Sequence, residues 1–188
     1  MIKPKDYDQV SAYEEFTPIK EGGYICRIVK VEETESKAGH PMIKVALDVA
    51  EGEFKDYYKE QYVKFNSEKW GCVLYILTTT KDGDTSSRFK AFVENVKASN
   101  SGFEPVWNDN FGTSFKGKLI GVLFGREEYE NKYGERKWNV KPRITKDVDK
   151  IRSGDFKVPD ERPLNSTKEQ YQNIPEGFTE IGEDEIPF

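Results

Sequence analysis

The chain has 188 residues, of which 36% are hydrophobic, 34% charged and 13% aromatic, and its formal net charge is -5. This length supports one core of roughly 100–150 residues, and no apolar run approaches the ~18 residues that would cross a bilayer. The start, MIKPKDYDQV, lacks the apolar stretch of a secretory signal. We therefore expect a cytoplasmic protein without membrane contact, with Cys26 and Cys72 as buried free thiols rather than a disulfide.

The net charge is distributed unevenly along the chain. Residues 155–188 hold nine acids and three bases, a net of -6, which leaves +1 for residues 1–154. Within the latter, residues 116–146 hold nine bases and four acids. Because charge asymmetry between segments is more informative than the total, the overall acidity does not exclude a nucleic-acid ligand.

The first half of the chain predicts three strands after an irregular arm at residues 1–20. GGYICRIVKVEE, residues 22–33, is a β-branched run behind two glycines, which is typical of a strand. TESKAGHP, residues 34–41, has the Gly and Pro of a turn. MIKVALDV, residues 42–49, alternates strictly and predicts a half-buried strand paired with the first. The aromatic segment YYKEQYVKF, residues 57–65, predicts a third strand.

Two helices and a second hairpin are predicted next. NSEKWGCVLYILTTT, residues 66–80, has Asn66 or Ser67 as a plausible N-cap of the first helix. The second helix lies within residues 84–102: Ser86 or Ser87 is its N-cap, Gly102 follows its end, and apolar residues stand at i, i+3, i+4 and i+7: Phe89, Phe92, Val93 and Val96. GKLIGVLFGREEYENKYGERKWNVKPRI then predicts two strands around a polar turn at residues 130–135.

This element order, β-β-β-α-β-β, predicts a mainly β domain with helices, the plan of the OB-fold, a small Greek-key barrel. We expect the OB-fold domain to cover residues 21–154. Residues 155–188 are rich in Pro, Gly, Asn, Glu and Ser and have few apolar anchors. Such a segment cannot bury enough surface to offset its ordering entropy, so we expect a flexible, disordered acidic C-terminal tail.

The basic segment combines cations with aromatic side chains, as proteins that bind single strands do: cations follow the phosphates and flat rings stack on bases. The second hairpin supplies the larger part of the candidate DNA-binding residues: Arg126, Tyr129, Lys132, Tyr133, Arg136, Lys137, Trp138, Lys141 and Arg143. In an OB-fold this hairpin and the turn after the first strand flank the binding face. The first turn adds Lys37, and the predicted third strand adds Tyr58, Lys59, Tyr62 and Lys64.

Alternation along the last strand separates its side chains into two sets. Lys137, Asn139, Lys141 and Arg143 share one face, whereas Trp138 lies on the other with Val140, Pro142 and Ile144. Trp138 is therefore either a core residue, which the parity slightly favours, or a stacking residue.

Enzyme signatures are sparse, and we expect neither catalysis nor a cofactor. The single histidine, His40, lies in a turn, and no zinc spacing or phosphate-binding glycine loop is present. The acids Glu127, Glu128 and Glu130 could hold a metal in a nuclease, but beside Arg126 they are more simply a solvated edge.

The last residues of the chain, GEDEIPF at 182–188, resemble the C-terminal tip of bacterial single-strand DNA-binding proteins. This resemblance implies a disordered tail whose end docks on replication and repair proteins through Asp184, Glu185, Ile186, Pro187 and Phe188. Glu stands at two positions where that family usually has Asp. A terminal Phe with a free carboxylate also suits an apolar pocket beside a base, a known recognition mode.

The body of the chain is similar to a family of phage-encoded proteins considered single-stranded DNA binders with OB-folds. The similarity lies in GGYICRIVKVEETESKAGHPMIKVALDV and GKLIGVLFGREEYENKYGERK. It includes a turn with Ser36, Lys37, Gly39 and Pro41, and a helix that begins at Trp70.

These observations predict a phage protein that coats single-stranded DNA during replication or recombination in the cytoplasm of a bacterial host. Its C-terminal tip would recruit replication or recombination proteins. Two alternatives are a recombination adaptor that acts mainly by protein contacts and a metal-dependent nuclease. The sequence leaves open the oligomeric state, including a homo-oligomer, and the preference for DNA over RNA.

Overall fold

The computed structural model describes residues 3–5, 7–8 and 17–164. These residues form five strands and four short helices. In chain order the elements are β1 Gly22–Glu35, β2 Pro41–Val49, α1 Tyr57–Lys64, β3 Val73–Leu77, α2 Ser87–Ser99, α3 Phe111–Ser114, β4 Leu119–Glu130, β5 Arg136–Lys146 and α4 Val148–Ser153. No helix in this described part is both long enough and apolar enough to cross a membrane.

The strands form one antiparallel sheet in the order β3-β2-β1-β4-β5. Its first four strands have the Greek-key order on which the OB-fold is built, so the predicted mainly β fold is confirmed. The sheet does not close into a barrel, because β3 and β5 are not paired within the described residues. Helix α2 packs against both strands, and its Arg88 and Asn95 side chains bond to the Arg143 carbonyl and the Thr145 hydroxyl of β5.

The predicted first hairpin is confirmed, including its turn. The Ser36 hydroxyl accepts a hydrogen bond from the His40 backbone N–H at 3.0 Å, and the Ser36 N–H donates to the His40 carbonyl at 2.9 Å. Gly39 adopts φ +78°, a conformation that glycine reaches without a steric cost.

The predicted third strand is wrong, because residues 57–65 form α1 instead. Asp48, near the end of β2, caps the first turn of this helix, because its carboxylate accepts hydrogen bonds from the backbone N–H groups of Tyr58 and Lys59. Burial in this position raises the pKa of Asp48. The helix then buries Tyr57 and Tyr58 in the core, so its aromatic residues serve helix packing rather than strand alternation.

The third strand lies in the segment that the sequence predicted as a helix. In β3, Leu74 and Ile76 point into the core and pair in register with Val45 and Ile43 of β2. The predicted helix at Trp70 is likewise absent: Trp70 precedes the strand, and its indole N–H donates to the Leu47 carbonyl at 2.6 Å.

The main core lies between one side of the sheet and helices α1, α2 and α3. Helix α2 confirms the predicted amphipathic pattern, since Phe92, Val93 and Val96 are buried. Cys26 and Cys72 are buried free thiols, as predicted. Burial raises the pKa of both thiols well above the ordinary value, which keeps them protonated and unreactive at neutral pH.

Candidate nucleic-acid interface

The β4–β5 hairpin extends past the rest of the sheet. Strand β4 pairs with β1 only as far as Gly22 opposite Phe124, whereas its pairing with β5 continues to Glu130 opposite Arg136. At ~3.4 Å per residue, the six residues beyond Phe124 carry the hairpin ~20 Å past the end of the β1 ladder. The sequence predicted this hairpin, and both of its faces carry exposed side chains, Tyr129 on one and Trp138 on the other.

Cross-strand register assigns each side chain of the hairpin to one of two faces, since directly paired residues share a face. One face, here the outer face, holds Gly125, Glu127, Tyr129, Lys137, Asn139 and Lys141. The other, here the inner face, is continuous with buried Phe124 and holds Arg126, Glu128, Trp138 and Val140. The predicted separation of Lys137 and Lys141 from Trp138 is confirmed.

Trp138 has core parity but is not a core residue. Its side chain is 38% exposed, because the hairpin has left the core at this point. The Arg126 guanidinium lies 5.0 Å from the centre of the Trp138 ring, a favourable cation–π distance. The slightly favoured core assignment is therefore wrong, and the inner face presents an accessible indole beside a cation.

The tip of the hairpin carries the most exposed ring of the candidate site. Tyr133 is 75% exposed, and the Lys132 ammonium lies 5.0 Å from its ring centre. The side-chain oxygen of Asn131 accepts the backbone N–H groups of Tyr133 and Glu135, which holds the turn in shape. The Asn131 amide and Lys137 also bond to Glu135, and these bonds lower the pKa of its carboxyl.

Three cations at the root of the outer face share one carboxylate, that of Glu127. Glu127 lies 3.7 Å from the Lys141 ammonium, 3.6 Å from Arg143 and 3.2 Å from Arg162. The Arg143 guanidinium also donates to the Asp160 carbonyl at 2.7 Å. Arg143 is therefore a structural cation as much as a candidate DNA contact.

The same geometry bears on the nuclease alternative. Glu127 and Glu128 are consecutive in β4 and point to opposite faces. Glu127 is surrounded by cations, and a Glu128 carboxylate oxygen accepts the Leu164 N–H at 3.1 Å. Two carboxylates held apart in this way do not converge on a shared metal ion.

Residues 155–164, here the strap, lie against the hairpin, although the sequence placed them in the flexible tail. Arg162 forms a parallel bridge with Glu127: its N–H donates to the Arg126 carbonyl, and its carbonyl accepts the Glu128 N–H. Glu161 pairs with Arg126 at 2.7 Å. The Phe156 ring fills the space beside Gly23, where a Cβ would lie 2.5 Å from the ring. The strap thus covers the edge of β4 that β1 does not reach.

Helix α1 brings four more predicted residues to the same end of the sheet. Tyr58 stacks against Phe124 at the root of the hairpin, with ring centres 6.4 Å apart. Its side chain is only 5% exposed, so the prediction that Tyr58 contacts DNA is wrong. Lys59, Lys64 and Tyr62 remain exposed on this helix.

Two other predicted groups lie elsewhere. Lys37 is exposed in the β1–β2 turn, which register places at the opposite end of β1 from the hairpin. The C-terminal tip, from Asp184 to Phe188, lies outside the described residues.

Arg136 is exposed on the hairpin, opposite Glu130.

Sequence reasoning missed a set of partly exposed residues on strands β1, β2 and β3. Lys44 pairs in register with Glu32 of β1 and with Tyr75 of β3, and Lys30 and Lys44 both form ion pairs with Glu32. The face of strands 2 and 3 is where OB-folds bind oligonucleotides. Strict alternation in MIKVALDV predicted that Lys44 faces outward. Tyr75 could not be assigned to the same face, because its segment was predicted to be a helix.

A search of curated proteins found no match to this chain. A family model described as "Protein of unknown function (DUF669)" matches residues 5–148, which include all five strands and the whole β4–β5 hairpin. The chain therefore belongs to the DUF669 family.

Proposed function

We propose that this protein binds and coats single-stranded DNA without strong sequence preference. The observation that carries the proposal is the projecting β4–β5 hairpin, on which exposed Tyr129, Tyr133 and Trp138 alternate with lysines and arginines. Each base stacked on such a ring contributes ~1–3 kcal/mol, and every base has a π-face, so stacking tolerates any sequence.

The acidity of the whole chain does not oppose this function. Residues 165–188 carry six acids and one base, and the chain enters this segment at Leu164, directly beside the hairpin. Residues 1–164 hold 28 acids and 28 bases, so residues 165–188 alone account for the net charge of -5, and the projecting hairpin keeps its exposed lysines. The tail also begins next to the proposed DNA site, where its charge competes with phosphate for the same cations.

A fluorescence titration tests the proposal. We expect a labelled dT oligomer to bind the full chain, with an affinity that falls steeply with salt because phosphate contacts release counterions. A matched rU oligomer measures the preference between DNA and RNA, and a dT–dA duplex measures the preference for single strands. An affinity that is absent at low salt, or equal for duplex and single strand, contradicts the proposal; an affinity weaker than micromolar at moderate salt favours the adaptor alternative.

We further propose that the C-terminal tip recruits a replication or recombination protein. Deleting residues 184–188 should abolish capture of that partner and leave DNA affinity unchanged or slightly higher, because two acids are removed. The double variant Ile186→Ala/Phe188→Ala keeps the acids and should also lose capture, with unchanged DNA affinity. Pull-down with the full chain and both variants makes the comparison. Capture that survives in the double variant would assign recruitment to charge alone.

A further inference from the structure

A second exposed aromatic platform lies on the helical side of the domain, away from the β4–β5 hairpin. Trp107, in the connection between α2 and α3, is 68% exposed. Its ring is stacked on Phe111, with centres 5.2 Å apart and planes at 29°. The edge of Phe89 supports it at 6.3 Å and 76°. We define Phe89, Trp107 and Phe111 as the Trp107 platform.

The platform is held rigidly. Phe111 is buried and packs on the fully buried Phe115, with ring centres 4.9 Å apart. Gly112 of α3 packs so closely on the Val31 carbonyl of β1 that a side chain there would collide with it. Trp107 therefore stacks on a ring that is anchored in the core, which limits the conformational freedom that the indole loses when a flat ligand stacks on its open face.

The exposed area is too small for a stable protein partner. Within residues 100–118, all of which the structure describes, Val106 and Trp107 are the exposed large apolar residues. One aromatic side chain offers ~150–250 Å², whereas a stable protein interface needs ~800 Å² from each partner. A single planar group of the size of a nucleobase matches the area of one indole.

The surroundings of the platform suit a nucleic-acid strand. Arg88 and Lys90 flank Phe89 in α2, whereas Asp109 is the acid nearest in sequence to Trp107. Glu104, the other acid of the connection, is paired with Lys97 at 2.9 Å. Phe89 thus has a cation on either side in sequence, and one of the two acids of the connection is already paired with Lys97.

Helix α2 connects the platform to the root of the hairpin. The Arg88 guanidinium donates to the Arg143 carbonyl of β5 at 2.9 Å, and the next residue, Phe89, contacts Trp107. The first turn of α2 therefore contacts both β5 and Trp107, and a strand that crossed this turn from β5 would meet the indole.

From this arrangement we propose that Trp107 stacks on a base of the same single strand that the β4–β5 hairpin holds, as an additional subsite for a nucleotide beyond the hairpin. The inference rests on the proposed function. It predicts that the contribution of Trp107 to the affinity depends on the length of the DNA strand.

The test measures the affinity of the full chain and of Trp107→Ala for dT oligomers of about 5 to about 30 nucleotides, which brackets the ~4–16-nucleotide sites of single OB-folds. We expect equal affinity for the shortest oligomers. For long oligomers we expect Trp107→Ala to bind about 5- to 150-fold more weakly, the factor for one stacked base at ~1–3 kcal/mol. Trp107→Phe should recover part of this loss, and Val106→Ala, the exposed neighbour without a ring, should bind as the parent chain does.

Each outcome decides the matter. If Trp107→Ala binds every length as tightly as the parent chain, the subsite is refuted and the proposed function stands. If the variant loses the same factor at all lengths together with a lower melting temperature, Trp107 is structural and the subsite is again refuted. If the parent chain binds no oligomer, the proposed function fails and the subsite with it.

Discussion

Replacing Lys132, Lys137 and Lys141 together by alanine should lower single-strand affinity and flatten its salt dependence. All three are exposed on the projecting hairpin. Each phosphate contact on a single strand contributes ~0.7 to the slope of log K against log salt, so losing three contacts reduces that slope by about 2. Titration of a labelled dT oligomer at several salt concentrations gives the slope directly.

The control variant loses the same number of positive charges, but from lysines outside the hairpin. Lys5, Lys81 and Lys150 are exposed in the N-terminal arm, in the turn before α2 and in α4, and their joint replacement should leave the slope nearly unchanged. A slope that falls equally in both triple variants would indicate a diffuse charge effect and would contradict the assigned hairpin.

Arg143 is left out of this variant for a structural reason. Its guanidinium bonds to the Asp160 carbonyl and lies beside Glu127, so its loss would loosen the strap as well as remove a cation. A weakened affinity could then not be attributed to phosphate contact.

Truncation after Gly154 should destabilise the domain by about 2–4 kcal/mol, whereas truncation after Leu164 should not. The shorter chain loses the Phe156 ring from its place beside Gly23 and the two backbone hydrogen bonds of Arg162. A buried Phe contributes ~1.5–3 kcal/mol and each hydrogen bond ~0.5–1.5 kcal/mol; because Phe156 is only half-buried, the lower part of these ranges applies. Urea unfolding of the two truncated chains measures the difference.

The longer truncated chain is the matched control, because it keeps every strap contact and loses only residues 165–188. We expect its free energy of unfolding to agree with that of the full chain to within ~0.5 kcal/mol. Phe156→Ala in the full chain should reproduce a large part of the loss. Equal stability of the two truncated chains would show that the strap adds nothing to the domain.

Local pattern was sufficient for the elements whose packing follows from their own residues. A β-branched run behind two glycines identified β1, alternation identified β2, and a polar turn between two strand-like segments identified the β4–β5 hairpin. A 3.6-residue period identified α2. It failed between residues 57 and 80, where strand and helix were exchanged. A short apolar run such as VLYIL is compatible with a strand or a helix. It forms a strand here because it pairs with β2. The preceding segment forms α1 because the Asp48 carboxylate of β2 caps its first turn.

The candidate site divides in the same way. The parity of the hairpin side chains was predictable because it is a local property of a strand. The exposure of Trp138 was not predictable from the sequence, since it depends on where the pairing of β1 with β4 ends. Trp107 carried no sequence signal either, because a tryptophan in a connecting segment is exposed or buried according to the elements that pack around it.

By itself, then, the sequence determined the antiparallel β-rich domain, its basic and aromatic hairpin, and the acidic segment that accounts for the net charge of -5. The tertiary structure alone decided that the sheet stays open, that Tyr58 is buried, and that residues 155–164 belong to the domain. The physical reason is that composition and periodicity describe a segment's own preferences. Burial, edge pairing and ion pairing depend on partners far away in the chain, as Arg162 and Glu127 are.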